Sequence, residues 1–135
     1  MNPLYADLVT ELPALMQTMG LGTVATDLFA GELPQGVEKG FFIVSSPSPA
    51  PEKYIDHEYQ VIDIWYRSPY TGEAMAKMRQ AYNMFHRKYH YDTSNWHIFF
   101  SEALSGVQDF DRDQENGKLL RLSVQFMCRN LNSIS

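Results

Sequence analysis

The cleanest pattern in the chain is "KLLRLSVQFMCRN" near its end. Leu120, Leu122, Val124, Phe126 and Cys128 alternate with Arg121, Ser123, Gln125 and Arg129. Period-two alternation of this kind predicts a strand with one apolar face and one polar face. "YQVIDIWYR" follows the same rule, with Ile62, Ile64 and Tyr66 on the core side and Val61, Asp63, Trp65 and Arg67 on the other. "GFFIVSS" is apolar on both faces and bounded by Gly40 and Pro47, which predicts a centrally placed strand. In "WHIFF", Trp96, Ile98 and Phe100 alternate with His97 and Phe99, and "TVATDLFAGELP" has room for a short strand before a turn around Gly31 to Gly36.

Helical spacing marks two other segments. Leu4, Leu8, Leu12, Leu15, Met16 and Met19 share one stripe, with Asn2 and Pro3 suited to the start and Gly20 to the C-terminal cap. Pro13 removes an interior hydrogen bond and is expected to kink or split this helix. A second helix starts at Ser68 or Thr71 and buries Ala74, Met78, Ala81, Tyr82 and Phe85. "KYHYDTSN" reads as a link after it, and "SPSPAPEK", with three prolines in five residues, as an extended loop. "GVQDFDR" pairs with the last strand across "DQENG", which contains the turn-forming Asn-Gly. Helix, strands, helix, strands predicts an α+β fold, a mostly antiparallel sheet with two main helices packed on one face, as a single domain over residues 1–135.

Composition narrows the functional classes. A length of 135 residues supports one domain with an ordinary core. The net charge of −5 argues against holding nucleic acid through a basic surface. The single Cys128 has no internal disulfide partner, which fits a reducing compartment. "MNPLYADLVTELPALM" carries Asp7 and Glu11 and no basic region, unlike a signal peptide. No apolar run approaches the roughly 18 residues of a membrane span, so a soluble, cytosolic protein is expected.

Candidate chemistry is sparse. His86 and His90 have the spacing that puts two ligands on one helical face, with a third to come from His97, Asp92 or elsewhere. The plainer account is two polar residues in the last turn of a helix, where positive charge suits the dipole. Asp109, Asp111, Asp113 and Glu115 stand at alternate positions, but a calcium loop would need glycine where Gln114 stands and glutamate where Leu120 stands. Strand alternation instead predicts an exposed row of carboxylates on one side, with no cation partner nearby in sequence. No G-x-S-x-G elbow or phosphate-binding glycine pattern occurs, and Cys128 lies on the apolar face of its strand. No catalytic residue, cofactor or metal is expected. The outward set of Trp65, Arg67, Tyr70, Arg121 and Arg129 remains, made of residue types that interfaces favour.

Taken in order, "LYADLVTELPALMQTMG", "LPQGVEKGFFIV", "YQVIDIWYRSPYTGEAMAKMRQAY" and "DFDRDQENGKLLRLSVQFM" resemble the tail terminator proteins of long-tailed bacteriophages, across most of residues 4–129. The resemblance implies a structural virion protein, not an enzyme, assembled in the host cytoplasm and located at the head–tail junction. Its subunit would form a hexameric ring with a DNA-wide channel, bind the last ring of tail tube protein, stop tube growth, and offer a joining surface to a head completion protein. No membrane or sequence-specific nucleic acid contact is implied. The acidic hairpin would suit a channel wall or ring face that does not grip passing DNA. The alternatives are another neck or head–tail completion protein, or a small metal-dependent or ligand-binding enzyme.

Overall fold

The computed structural model describes residues 7–46 and 58–131. The start of the first helix at Asn2, Pro3 and Leu4 lies outside those residues, as does "PSPAPEK" of the proline-rich stretch. The described elements, in chain order, are α1 (Leu8–Thr18), β1 (Leu28–Ala30), β2 (Gly40–Ser46), β3 (Glu58–Ser68), α2 (Thr71–Phe85), β4 (Lys88–Asp92), β5 (Trp96–Ala103), β6 (Gln108–Arg112) and β7 (Lys118–Asn130).

β7 organises the sheet. Its alternation is obeyed to the residue: Leu120, Leu122, Val124, Phe126 and Cys128 are all fully buried, and the residues between them are half-buried. β3 pairs with one edge of β7 over its whole length, while β5 and β6 share the other edge in succession. The resulting order is β1-β2-β3-β7-β5-β4, with β6 beside β7, and only β1 and β2 run parallel. β2 is an interior strand, as its two-sided apolar character predicts, although its outer neighbour β1 is three residues long.

Both helices cover the same face. Leu8, Leu12 and Met16 of α1, and Ala74, Met78, Ala81 and Phe85 of α2, are buried against Phe41, Ile43, Ile62, Ile64 and the apolar row of β7. Phe85 meets Phe126 edge-on at 5.5 Å, and Phe41 meets Tyr66 at 4.6 Å. Cys128 belongs to this core, and burial pushes its thiol up to about 12, which leaves it protonated and unreactive at neutral pH. The α+β fold with a mostly antiparallel sheet is therefore established.

Several local expectations change. α1 runs unbroken through the buried Pro13 instead of splitting there, because packing of the surrounding turn outweighs one missing hydrogen bond. Met19 is not on the buried stripe: the helix ends at Thr18, Gly20 takes the left-handed conformation with φ 87, and Met19 is 61% exposed. α2 starts at Thr71, while the buried Ser68 donates to Glu73 Oε1 and accepts from the Tyr70 amide. "KYHYD" is a strand and not a link, forming the edge strand β4 against β5. Phe100 is not core-facing. A bulge between Ile98 and Phe100 reverses the alternation of β5, so Ser101 turns inward. Its hydroxyl donates to the Phe85 carbonyl at 2.7 Å and accepts from Tyr91 at 2.7 Å, which satisfies it in the core.

The register gives a direct test. Val124→Asp should prevent folding, since an unpaired buried carboxylate costs several kcal/mol against a total of about 5 to 15. Gln125→Ala, one residue away on the half-buried face, should leave a cooperative melt close to wild type. Thermal unfolding followed by circular dichroism distinguishes them, and equal damage from both would mean that the two faces of β7 are equally buried.

Candidate functional site

Among the described residues, neither helix covers the second face of the sheet, and this is where the polar and aromatic positions of β3 and β7 converge. Trp65 and Arg121 are direct cross-strand partners, and so are Phe42 and Trp65. The Trp65 ring stacks on Phe42 at 5.7 Å with only 9° between planes, and meets Phe110 of β6 at 5.0 Å. The Arg121 guanidinium lies over both rings, 5.5 Å from the centre of Trp65 and 4.6 Å from that of Phe110. Its Nε donates to Gln108 Oε1 at 3.0 Å, and its Nη2 donates to the same oxygen. Three aromatic rings and one oriented cation therefore form a ladder across β2, β3, β7 and β6. Each cation–π contact at a partly exposed site contributes about 0.5–1 kcal/mol, and the rings hold one another in place without a helix over them. Beside the ladder, Ser123 donates to Asp63 Oδ1 at 2.7 Å across the β3–β7 pair, so that half-buried carboxylate is satisfied.

The remaining members of the outward set are not gathered into this ladder. Arg67 is on the same face, but its side chain is turned into a clamp inside the chain. Nε donates to Asp113 Oδ2 at 2.6 Å, Nη2 donates to Asp113 Oδ1 at 3.3 Å, and Nη1 donates to the Glu38 carbonyl. Tyr70 stands 66% exposed at the N-cap of α2. Arg129 is opposite His97 on β5, eight residues beyond Arg121, which is roughly 26 Å along a strand.

The acidic row is not the one-sided, unpartnered field that alternation predicts. Phe110 and Asp111 form a bulge in β6, with Asp111 at φ 64, and the register shifts there. Asp109 consequently pairs with Lys118 at 2.7 Å on the helix side of the sheet, while Asp113 pairs with Arg67 on the other. Arg112 fastens the hairpin as well, donating to the carbonyls of Asn116 at 2.7 Å and Pro69 at 3.1 Å. Asp111 and Glu115 are the most exposed carboxylates of the group, at 93% and 89%, each 3.9 Å from a cation already engaged elsewhere.

The hairpin turn explains why Arg67 can reach so far. Asn116 takes the left-handed position with φ 65, and the amides of Glu115 and Gly117 donate to Asp113 Oδ1 at 3.0 and 2.8 Å. Gly117 lies directly beneath the guanidinium, and a Cβ there would collide with Arg67 Cζ and Nε. With Arg67 and these amides as donors, the Asp113 carboxyl is held down to about 2.

His86 and His90 do not share a helical face, which corrects that expectation. α2 ends at Phe85, and His86 is its extended C-cap, stacking on Tyr82 at 4.6 Å and accepting from the Ala103 amide at 3.2 Å. His90 belongs to β4. Sequence reasoning also passed over Phe42 and Phe110. Phe110 is the sole large apolar residue in "QDFDRDQENG", and that isolation was its signal.

The clamp generates a prediction. Arg67→Ala, or Gly117→Ala by steric exclusion, should destabilise the chain by about 1–2 kcal/mol, the range for a charge-assisted hydrogen bond reduced for partial exposure. Because the folded Asp113 carboxyl titrates below its unfolded value, its contribution is complete above about pH 4 and fades as the pH falls toward 2. Melts of wild type and Arg67→Ala across that window should converge at the acid end, and a constant difference would assign the loss to packing.

The family model for bacteriophage tail terminator protein matches residues 15–131, from within α1 past the end of β7. No curated protein matches the chain. A match over that span includes every strand of the sheet and the whole of α2, and the chain belongs to the bacteriophage tail terminator family.

Proposed function

We propose that this chain caps the tail tube: six copies close into a ring on the last ring of tail tube protein, stop elongation, and present the joining surface to a head completion protein. Membership of the family carries the coarser part, a structural protein of the virion tail. The observation that supports the finer part is the ladder of Phe42, Trp65, Phe110 and Arg121 on the helix-free face. Aromatic residues and arginine dominate interface energetics because they combine large apolar area with directional polar contacts. Here they are already stacked, so docking would immobilise few rotamers. On this reading the ladder meets a neighbouring copy or the tube end, and Arg67 holds the β6–β7 hairpin in position beside it. Asp111 and Glu115 would then face the channel or ring surface, where negative charge repels the DNA backbone and leaves it free to pass.

Sedimentation with and without tail tubes tests the reading. A hexamer-sized species is expected on tubes, and a chain that stays monomeric and never binds tubes would refute it. Trp65→Ala should weaken capping by about 2 kcal/mol or more, the usual loss for an interface anchor, while its melt falls by a few degrees. A collapsed melt would instead assign Trp65 to the fold. Asp111→Asn combined with Glu115→Gln should leave tube-length control intact and slow DNA ejection from finished particles. Wild-type ejection would make these carboxylates a solvated edge.

A further inference from the structure

A second cluster occupies the helix-free side at the opposite end of β7 from the hairpin. Asp92 and His97 are partners in the β4–β5 ladder, and His97 Nδ1 lies 2.5 Å from Asp92 Oδ1. An ionised carboxylate only accepts, so the proton between them belongs to His97 Nδ1, and in the neutral ring Nε2 presents a lone pair. That nitrogen faces His90 Nδ1 at 3.4 Å. His90 reaches it from an uncommon backbone, φ 50, between the Tyr89–Phe100 and Tyr91–Ile98 pairs. Histidine enters this region more readily than most residues, yet the conformation persists only where its surroundings hold it. Phe99 stands edge-on to both rings, 4.7 Å from His97 and 6.3 Å from His90, and walls one side of the pair.

The spacing of the two nitrogens is informative. At 3.4 Å they are farther apart than a good hydrogen bond, which has its optimum near about 2.9 Å. Metal–nitrogen bonds of about 2.0–2.1 Å meeting at a tetrahedral angle set two donors roughly 3.3 Å apart. Asp92, behind His97, stands where the outer carboxylate of a metal-bound imidazole stands, fixing the tautomer and raising the basicity of the ligating nitrogen. We propose that His90 Nδ1 and His97 Nε2, backed by Asp92, bind one divalent transition-metal ion of the zinc class on the β4–β5 hairpin. Imidazole donors suit zinc, nickel and copper and disfavour magnesium and calcium. Among the described residues no group of three His, Cys, Asp or Glu side chains converges, so water completes the coordination and the affinity is modest. Ligation requires an unprotonated His90 Nδ1, so the neutral ring carries its proton on the outward Nε2 in the bound form, the proton exchanging between the two nitrogens through solvent. Arg129 stands opposite His97 on β7. This site stands independently of the tail-capping reading, and it excludes His86, whose Nδ1 already accepts from the Ala103 amide.

Isothermal titration of tag-free protein with zinc chloride, and separately with nickel chloride, should show saturable uptake of one ion per chain. His90→Asn keeps a residue that tolerates left-handed backbone and should abolish uptake, as should His97→Ala. Melts of both variants in chelator should match wild type, which separates lost ligands from lost folding. Asp92→Asn should weaken binding about ten- to a hundred-fold, and His86→Ala should bind as wild type does. No saturable uptake by the wild-type chain, or uptake retained in both histidine variants, would overturn the site.

Discussion

The strict two-residue period of β7 is the constraint on which the rest depends. Thirteen residues without a bulge of their own carry pairing to β3 on one edge and to β5 and β6 on the other. Shifting that strand by one residue would move Leu120, Leu122, Val124, Phe126 and Cys128 to the uncovered face and Arg121, Ser123 and Gln125 into the core. Burial of five full side chains, at about 1.5–3 kcal/mol for each large one, makes that slip prohibitive. With register fixed, Trp65 must oppose Arg121, Asp63 must oppose Ser123, and His97 must oppose Arg129. The arrangement of the helix-free face is therefore a consequence of core packing on the other side of the same strand.

What departs from that regularity lies in β4, β5 and β6, and each departure moves a side chain that matters. The β5 bulge exchanges Phe100 for Ser101 in the core. The β6 bulge places Phe110 with Trp65 and separates Asp109 from Asp113 across the two faces. His90, in left-handed backbone, comes beside His97. These irregularities lie in the strands that flank β7, where one disturbed pair upsets fewer neighbours than it would in the middle of the sheet.

Legibility in the sequence followed the same division. β7, β3 and α2 were readable because each buries one face only, so burial leaves a period in the residue types. β4 was not, since "KYHYD" is exposed at four of its five positions and its backbone pairing leaves no apolar trace. The β6 bulge and the left-handed backbone at His90 are hidden because neither Asp111 nor His90 is a residue type that marks such a conformation, as glycine would. The aromatic ladder is half legible: alternation places Trp65 and Arg121 on one face but not Phe110, which a bulge delivers. Arg67 was read onto the correct face, yet its engagement with Asp113, 46 residues away, is a tertiary fact that no spacing encodes.

A surface that docks on a partner benefits from rigidity, because each rotamer frozen on docking subtracts from affinity. Here the β6–β7 hairpin is held at three separate points. Arg67 bridges Asp113 and the Glu38 carbonyl, Lys118 holds Asp109, and Arg112 reaches the Pro69 carbonyl and the Thr71 hydroxyl at the start of α2. β6 itself is exposed along its whole length and contributes nothing to the core. This strand has no core role, yet three cations fasten its hairpin to the segment before β2, to β3, to β7 and to the α2 start, which fixes what it presents. What it presents on the helix-free side is Phe110 against Trp65 and Arg121. The charged residues of this hairpin therefore hold the aromatic ladder in a fixed place, and Asp111 and Glu115 stand as its most exposed carboxylates.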